Sequence, residues 1–143
     1  MRLRILAIGR CRDAAINELT RRYLERSAFP AELVELNPRG SEALAIDAAL
    51  PAETRIVALD ERGQDLSSAD LAARLGRWRD DGERQVTFVI GGADGLDAGL
   101  LARASLRLAF GRATWPHMLV RPMLAEQLYR AGTILAGHPY HRA

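Results

Sequence analysis

The chain has 143 residues and a formal net charge of +2, and its 48% apolar and 27% charged residues suit a globular protein that forms one domain, 1–143, around a substantial core. No apolar run is long enough to cross a bilayer and no signal peptide is evident, so we expect a cytoplasmic protein. The single Cys11 excludes an internal disulfide and a multi-cysteine zinc site, and the absence of lysine excludes P-loop NTPases and pyridoxal enzymes, which depend on one.

The order of apolar runs and helical patterns predicts elements along the whole chain. In chain order they are a strand at 3–9, a helix capped by Asp13, a strand at 31–36, a short helix within 40–50 ended by Pro51, a strand at 55–60, a helix capped by Ser67, a strand at 85–90, a helix at 97–104, a weak strand at 105–110 and a last helix. In the first helix we expect Ile16, Leu19 and Tyr23 to share a face. The later helices place apolar residues at helical spacing: Leu71, Leu75 and Trp78, then Leu124, Leu128, Ala131 and Leu135.

This alternation predicts an α/β fold whose mostly parallel sheet carries helices on both faces. In such sheets ligands bind beyond the carboxyl ends of the strands. Three segments fall there, each rich in glycine, proline or polar residues: 60–63, 91–95 and 111–117. We therefore expect them to converge on one ligand site.

Gly91 and Gly92 directly follow a strongly apolar predicted strand. Adjacent glycines let a backbone come close to a ligand. The spacing is not that of a dinucleotide fingerprint or a P-loop, and these residues alone favour a tight strand-to-helix turn that needs no ligand.

The segment 111–117 ends in Trp115, Pro116 and His117, a stiff stretch that suits the wall of a flat pocket. A turn that packs Trp115 into the core is the alternative. Three roles are open for His117: a catalytic base, a helix cap or an ordinary surface residue.

The tail carries two of the three histidines, His138 and His141. Their spacing would suit a metal on a helix, but Pro139 breaks that helix and no further ligand is near, so we expect no metal. Nucleophilic hydrolase signatures are also absent from the sequence.

Charge is distributed unevenly along the chain. Residues 1–39 hold 8 arginines and 5 acids, residues 40–100 hold 6 and 12, and residues 101–143 hold 6 and 1. The basic last third indicates a surface for a polyanion, or else chance placement of arginine.

Three strings together carry a specific resemblance: VIGGADGL at 89–96, TWPHMLVRPMLAEQLYRA at 114–131 and HPYHR at 138–142. With the opening LRILAIG, they make the chain resemble, from end to end, the bacterial rRNA methyltransferases that modify N3 of a pseudouridine in helix 69 of 23S rRNA. These enzymes form part of the SPOUT, or α/β-knot, class. The resemblance implies a C-terminal trefoil knot, S-adenosylmethionine as cofactor, a homodimer, and the assembled 70S ribosome as partner.

The resemblance also implies roles for particular residues. The cofactor contacts carried over are Leu59, Gly91, Gly92, Gly111, Arg112, Ala113, Thr114, Trp115 and Pro116, with an apolar adenine slot around Leu59 and Trp115. The RNA contacts carried over are His117, Arg121, Arg130 and Arg142. The catalytic candidates are the tail residues His138, Tyr140, His141 and Arg142, and we expect the tail of one subunit to complete the pocket of the other.

The sequence departs from the family pattern at three places. Trp115 stands where Leu or Met is usual, and residues 37–53 are shorter than the basic segment of relatives. Pro122 stands inside the last helical pattern, and we expect that helix to start there, because proline is tolerated at a first helical position. A related tRNA methyltransferase of the knot class and a ribosome-binding domain without catalysis remain as alternatives.

Overall fold

The computed structural model describes residues 1–141, so Arg142 and Ala143 lie outside it, as does the side chain of His141. The strands are β1 (Arg2–Ile8), β2 (Ala31–Leu36), β3 (Arg55–Asp65), β4 (Gln85–Ile90) and β5 (Leu106–Ala109). The helices are α1 (Ala14–Arg26), α2 (Glu42–Ala49), α3 (Ser68–Asp80), α4 (Ala98–Arg103) and α5 (His117–Leu135), followed by a 3₁₀ turn at Pro139–His141.

All five strands are parallel and form one sheet in the order β2-β1-β4-β3-β5. The central strands β1 and β4 are almost completely buried, which explains their continuous apolar sequences. A helix lies between each strand and the next one along the chain. Because all the strands are parallel, their carboxyl ends lie at one edge of the sheet.

Helices cover both faces of the sheet. The larger core lies between one face and the helices α1, α3 and α5, and includes Leu24, Leu75, Phe88 and Leu128. The smaller core joins Ile46 of α2 and Leu100 of α4 to the opposite face. The α/β fold with helices on both faces is therefore confirmed, whereas the trefoil knot stays a prediction.

The predicted helix caps are confirmed. The Asp13 carboxylate accepts hydrogen bonds from the backbone N–H groups of Ala15 and Ile16, at 2.9 and 3.2 Å. The Ser67 hydroxyl accepts one from Asp70 at 3.0 Å. Such caps satisfy backbone donors that a helix start leaves unpaired.

The face of α1 that carries Ile16, Leu19 and Tyr23 is buried only in part, with Tyr23 packed against the larger core. Thr20 and Leu24 are the buried residues of α1, whereas Leu19 remains 38% exposed. Thr20 can turn inward because its hydroxyl donates to the carbonyl of Ile16 at 2.8 Å, which satisfies the only polar group of its side chain.

The last helix starts earlier than expected. α5 begins at His117, with Pro116 as its N-cap, and Pro122 lies inside it. A proline in this second turn removes one helical hydrogen bond without ending the helix, because the surrounding core holds both parts in line. Among the described residues, no helix is long and apolar enough to span a membrane.

Candidate active site

The three segments selected at the strand ends meet around one cavity of about 650 Å³. Its lining comes from 59–62, 90–96, 107–111 and 113–117, together with Leu101 and Val120. A volume in this range suits a ligand the size of a nucleoside derivative. The convergence predicted from the parallel sheet is thus confirmed for all three segments.

The first segment is a bulge rather than a loop. Leu59 and Gln64 of β3 both pair with Leu108 of β5, so residues 60–63 project from the ladder. The Asp60 carboxylate accepts from the N–H of Arg62 at 3.1 Å, which closes the bulge. The expected end of the strand at Asp60 was therefore wrong, because the strand resumes beyond the bulge.

Gly63 at the base of this bulge has no room for a side chain. A Cβ there would lie 2.6 Å from the carbonyl carbon and oxygen of Arg107. Since backbone cannot move aside as a side chain can, glycine sets how closely β3 approaches β5 below the cavity.

The second segment is a tight turn closed by a hydrogen bond from the N–H of Gly95 to the carbonyl of Gly92, at 3.0 Å. Gly95 has a φ of +76°, a conformation that glycine adopts without strain. Gly91 and Gly92 both line the cavity, as the carried-over roles require.

The third segment, 111–117, places its aromatic ring at the cavity wall. The indole N–H of Trp115 donates to the carbonyl of Phe110 at 2.8 Å, yet the residue is 44% exposed. The alternative in which Trp115 packs into the core is therefore wrong. Thr114 donates to the carboxylate of Glu61 at 3.3 Å, which links this segment to the bulge.

One expected cofactor residue is not at the cavity. Gly111, Ala113, Thr114, Trp115 and Pro116 line it, but Arg112 does not, and its side chain is exposed. The cofactor contact expected from Arg112 is corrected accordingly, because its neighbours on both sides line the cavity and Arg112 does not.

His117, the first residue of α5, lines the cavity with a half-buried side chain. Arg121, one turn further, is 1% exposed and pairs with Glu35 of β2 at 2.5 Å. It also donates to the carbonyls of Ile8 and Gly9, at 3.1 and 2.7 Å. The expected RNA contact from Arg121 was wrong, because the core and these partners enclose its guanidinium.

Arg130 is also held within the protein. Its guanidinium pairs with Glu126 at 2.6 Å and lies 5.0 Å from the centre of the Tyr140 ring. The Glu126 carboxylate and the Tyr140 ring both contact the Arg130 guanidinium. A contact between Arg130 and RNA would therefore compete with these interactions.

The tail folds back onto α5 of its own subunit. The Tyr140 hydroxyl donates to the Glu126 carboxylate at 3.0 Å, and its ring meets that of Tyr129 edge to face at 4.6 Å between centroids. Nδ1 of His138 accepts from the Tyr140 N–H at 3.2 Å. Burial raises the pKa of Tyr140, and hydrogen bonds with Tyr23 and Glu126 raise it further. The phenol therefore stays protonated at neutral pH.

The tail is distant from the cavity of its own subunit. No described tail residue lines the cavity. Tyr129, on which Tyr140 packs, lies nine residues beyond the cavity-lining Val120, about 14 Å along the helix. The side chain of His141 and all of Arg142 lie outside the described residues.

Three of the five described arginines of the basic last third have carboxylate partners. Arg103 pairs with Asp47 at 2.7 Å, and Arg121 and Arg130 pair as described. Arg107 and Arg112 are exposed and have no ion pair with any described residue. Net sequence charge thus overstated the free positive surface of this region. Within residues 1–141 no group of three His, Cys, Asp or Glu side chains is placed to hold a metal ion.

Several charged residues were not singled out from the sequence, among them Glu61 and Arg107 of the cavity lining and Glu35, the partner of Arg121. Glu61 lay in a selected segment without being singled out, and Arg107 lay on a strand too weak to suggest a role. Glu35, the partner of Arg121, falls on an edge strand where alternation predicts a solvated face. A charged residue directly after a predicted strand end was the available signal for Glu61.

Known proteins that match this chain over nearly its whole length are described as methyltransferases. The family profile described as "Predicted SPOUT methyltransferase" matches residues 1–141. A Rhodospirillum centenum protein named ribosomal RNA large subunit methyltransferase H is 51% identical over 152 aligned positions, covering 100% of both chains. Proteins of the same name from Bradyrhizobium sp. BTAi1 and Novosphingobium aromaticivorans are 49% and 50% identical, covering 100% and 99% of both chains.

A solved structure shares the fold. The crystal structure of a probable methyltransferase from Bordetella pertussis Tohama I superposes with a TM-score of 0.63, covering 91% of this chain and 95% of that one. The two sequences are 17% identical, so the likeness bears on the fold alone.

Proposed function

Because this chain belongs to the SPOUT methyltransferase family, we propose that it transfers a methyl group from S-adenosylmethionine to N3 of a pseudouridine in helix 69 of 23S rRNA. The relatives that are about half identical to it are named as methyltransferases of large-subunit ribosomal RNA. The resemblance of the PHMLVR, AEQLYRA and HPYHR strings adds the base and the position within the RNA.

The observation that carries this proposal is the convergence of the three strand-end segments on one cavity. The cavity combines an apolar side, which includes Leu59 and Trp115, with exposed backbone at Gly91 and Gly92. Adenine is flat and apolar on its faces and polar at its edge, so this combination suits it without any charged motif.

The charges around the cavity suit the rest of the cofactor. Asp60, Glu61 and Asp94 supply carboxylates, and Arg62 and Arg107 supply guanidinium groups. S-adenosylmethionine carries a sulfonium, an ammonium and a carboxylate, so both kinds of group have counterparts in the lining. When bound, the cofactor supplies the electrophilic methyl group.

The protein must also handle one proton. N3 of pseudouridine is an imide nitrogen that is protonated at neutral pH, and it becomes a nucleophile only as that proton leaves. Tyr140 is unsuited to accept it, because burial and its hydrogen bonds raise its pKa. We assign Tyr140 a positioning role and leave the proton to His138, His141 or water, with Arg142 stabilising negative charge on the base.

This assignment requires two subunits. The tail packs on α5 about 14 Å along the helix from Val120 at its own cavity, and a tail docked there is available to the cavity of a partner subunit. Leu119, which is 41% exposed and lies between the cavity-lining residues His117 and Val120, supplies apolar surface that a partner would cover. The proposed enzyme is thus a homodimer with composite sites.

The proposed substrate is the assembled 70S ribosome, which places the reaction in the cytoplasm. Exposed Arg112, and Arg142 beyond the described residues, are the proposed phosphate contacts of the last third. Their contribution is electrostatic, so binding should weaken steeply as salt rises.

Calorimetry with S-adenosylmethionine tests the proposal at its first step. The expected result is binding of one cofactor per cavity, competed by S-adenosylhomocysteine. A chain that binds ribosomes without binding either compound would be a ribosome-binding domain without catalysis. Cofactor binding combined with methylation of tRNA would instead identify a tRNA enzyme of the same class.

A further inference from the structure

The first turn of α5 is weakly held by its own backbone. Its N-cap, Pro116, makes no side-chain capping bond, and the turn contains no acidic residue to favour a helix start. Pro122 has no N–H, so the carbonyl of Met118 lacks its usual helical partner. Yet Pro116, His117 and Val120 of this region line the cavity.

The side chain of Arg121 supplies the missing attachment. One end of its guanidinium pairs with Glu35 at 2.5 Å, and the other donates to the carbonyls of Ile8 and Gly9 where β1 ends. Glu35 accepts in addition from the N–H of Cys11 at 2.8 Å. One buried side chain therefore ties the start of α5 to the carboxyl ends of both β1 and β2.

Stability alone does not account for an arginine at this position. Desolvation of a charged group often costs more than its ion pair returns, and apolar residues commonly replace such pairs without loss. The Nε of Arg121 is buried without a hydrogen-bond acceptor among residues 1–141, which adds to that cost. What the guanidinium offers beyond an apolar residue is direction, since its rigid fork of N–H groups binds three acceptors at once.

We propose that Arg121 is a positioning residue for the cofactor cavity, which it shapes by fixing the first turn of α5 against the end of β1. The assignment of the cavity to S-adenosylmethionine rests on the proposed function. Arg121 itself touches neither cofactor nor RNA, and it acts through Pro116, His117 and Val120.

Arg121→Met and Arg121→Lys test this, with Leu128→Ala as the control. Leu128 lies on the same helix, is fully buried and does not line the cavity, so its truncation lowers thermal stability without touching the first turn. Arg121→Met should weaken binding of S-adenosylmethionine by about tenfold, because coupling through a packed element is typically of that size. Its kcat at saturating cofactor should change far less than its KM, and Arg121→Lys should recover part of the affinity.

The proposal is overturned if Arg121→Met binds the cofactor as the wild type does. It is equally overturned if Leu128→Ala, at equal loss of thermal stability, loses as much affinity. Should Arg121→Met fail to fold, Glu35→Gln gives the same test at similar shape, with a smaller loss of affinity expected and an unchanged affinity contradicting the proposal.

A second readout separates this proposal from the proposed function. Trp78 is 5% exposed and Trp115 is 44% exposed, so acrylamide quenching reports mainly on Trp115 next to the first turn. Quenching should increase in Arg121→Met and remain unchanged in Leu128→Ala, whether or not the cofactor is S-adenosylmethionine. A wild-type chain that fails to bind the cofactor would overturn the proposed function, while unchanged quenching in Arg121→Met would overturn the positioning role.

Discussion

The hydroxyl of Tyr140 donates a hydrogen bond to the carboxylate of Glu126 across 3.0 Å. This bond holds the tail against α5, and no described tail residue lines the cavity of the same subunit. A tail with these contacts is ordered at Tyr140 without serving its own cavity, which is the arrangement that a composite dimeric site requires.

Deletion of residues 138–143 should therefore separate binding from catalysis. Methyl transfer should fall by about a hundredfold or more, as expected when groups that handle a proton are removed. Affinity for S-adenosylmethionine should be retained, because no described tail residue lines the cavity. The check is calorimetry and methyl transfer on the same preparation, and an active truncated enzyme would rule out the role of the tail.

Tyr140→Phe should change how stability depends on pH. Burial raises the pKa of Tyr140 in the folded state, whereas in the unfolded chain the phenol ionises near its usual value of about 10. The folded state then binds more protons above that pH, so the stabilisation is present below about pH 10 and declines as pH rises further. Thermal unfolding from pH 9 to pH 11 should show a steeper decline for the wild type than for Tyr140→Phe, and parallel curves would contradict the shift.

Gly63→Ala should damage the cavity through the backbone. The added Cβ would meet the Arg107 carbonyl at 2.6 Å, and forcing the strands apart should cost about 1–3 kcal/mol of stability. Arg107 lines the cavity, so cofactor affinity should fall as well. Gly40→Ala is the matched control, because a Cβ there has no atom within 4 Å. Equal unfolding temperatures for the two variants would show that the close approach is absent.

Arg112→Ala should weaken ribosome binding without affecting the cofactor. The residue is exposed, has no described ion pair and does not line the cavity. Loss of one phosphate contact should lower the slope of log affinity against log salt by about 1. Arg103→Ala provides the control, since Arg103 is paired with Asp47. If both variants change the slope alike, Arg112 has no specific part in RNA binding.

Much of the fold follows from local signals. The strands 31–36 and 85–90 were predicted with their observed bounds, because β-branched and alternating residues end there at polar or glycine positions. The helix caps at Asp13 and Ser67 were also predicted correctly from the sequence. The start of α5 was misplaced at Pro122, because local rules set proline at a helix start, whereas tertiary packing holds His117–Leu135 as one helix.

The position of the cavity was predictable from the sequence, but the buried contacts of Arg121 were not. Parallel strands bring their carboxyl ends together, and this rule alone selected the segments around the cavity. Arg121 was expected to contact RNA, as the resemblance implied, and the partners that bury it lie 86 to 113 positions earlier in the chain. Only the folded chain brings Glu35, Ile8 and Gly9 to it.

The central claim is tested most directly by transfer of labelled methyl groups to ribosomes, followed by mass spectrometry of nuclease fragments of the rRNA. The account predicts label at N3 of a pseudouridine in helix 69 of 23S rRNA, with intact 70S particles strongly preferred over free 50S subunits. Label on another nucleotide, label on tRNA, or no label despite bound S-adenosylmethionine would contradict it.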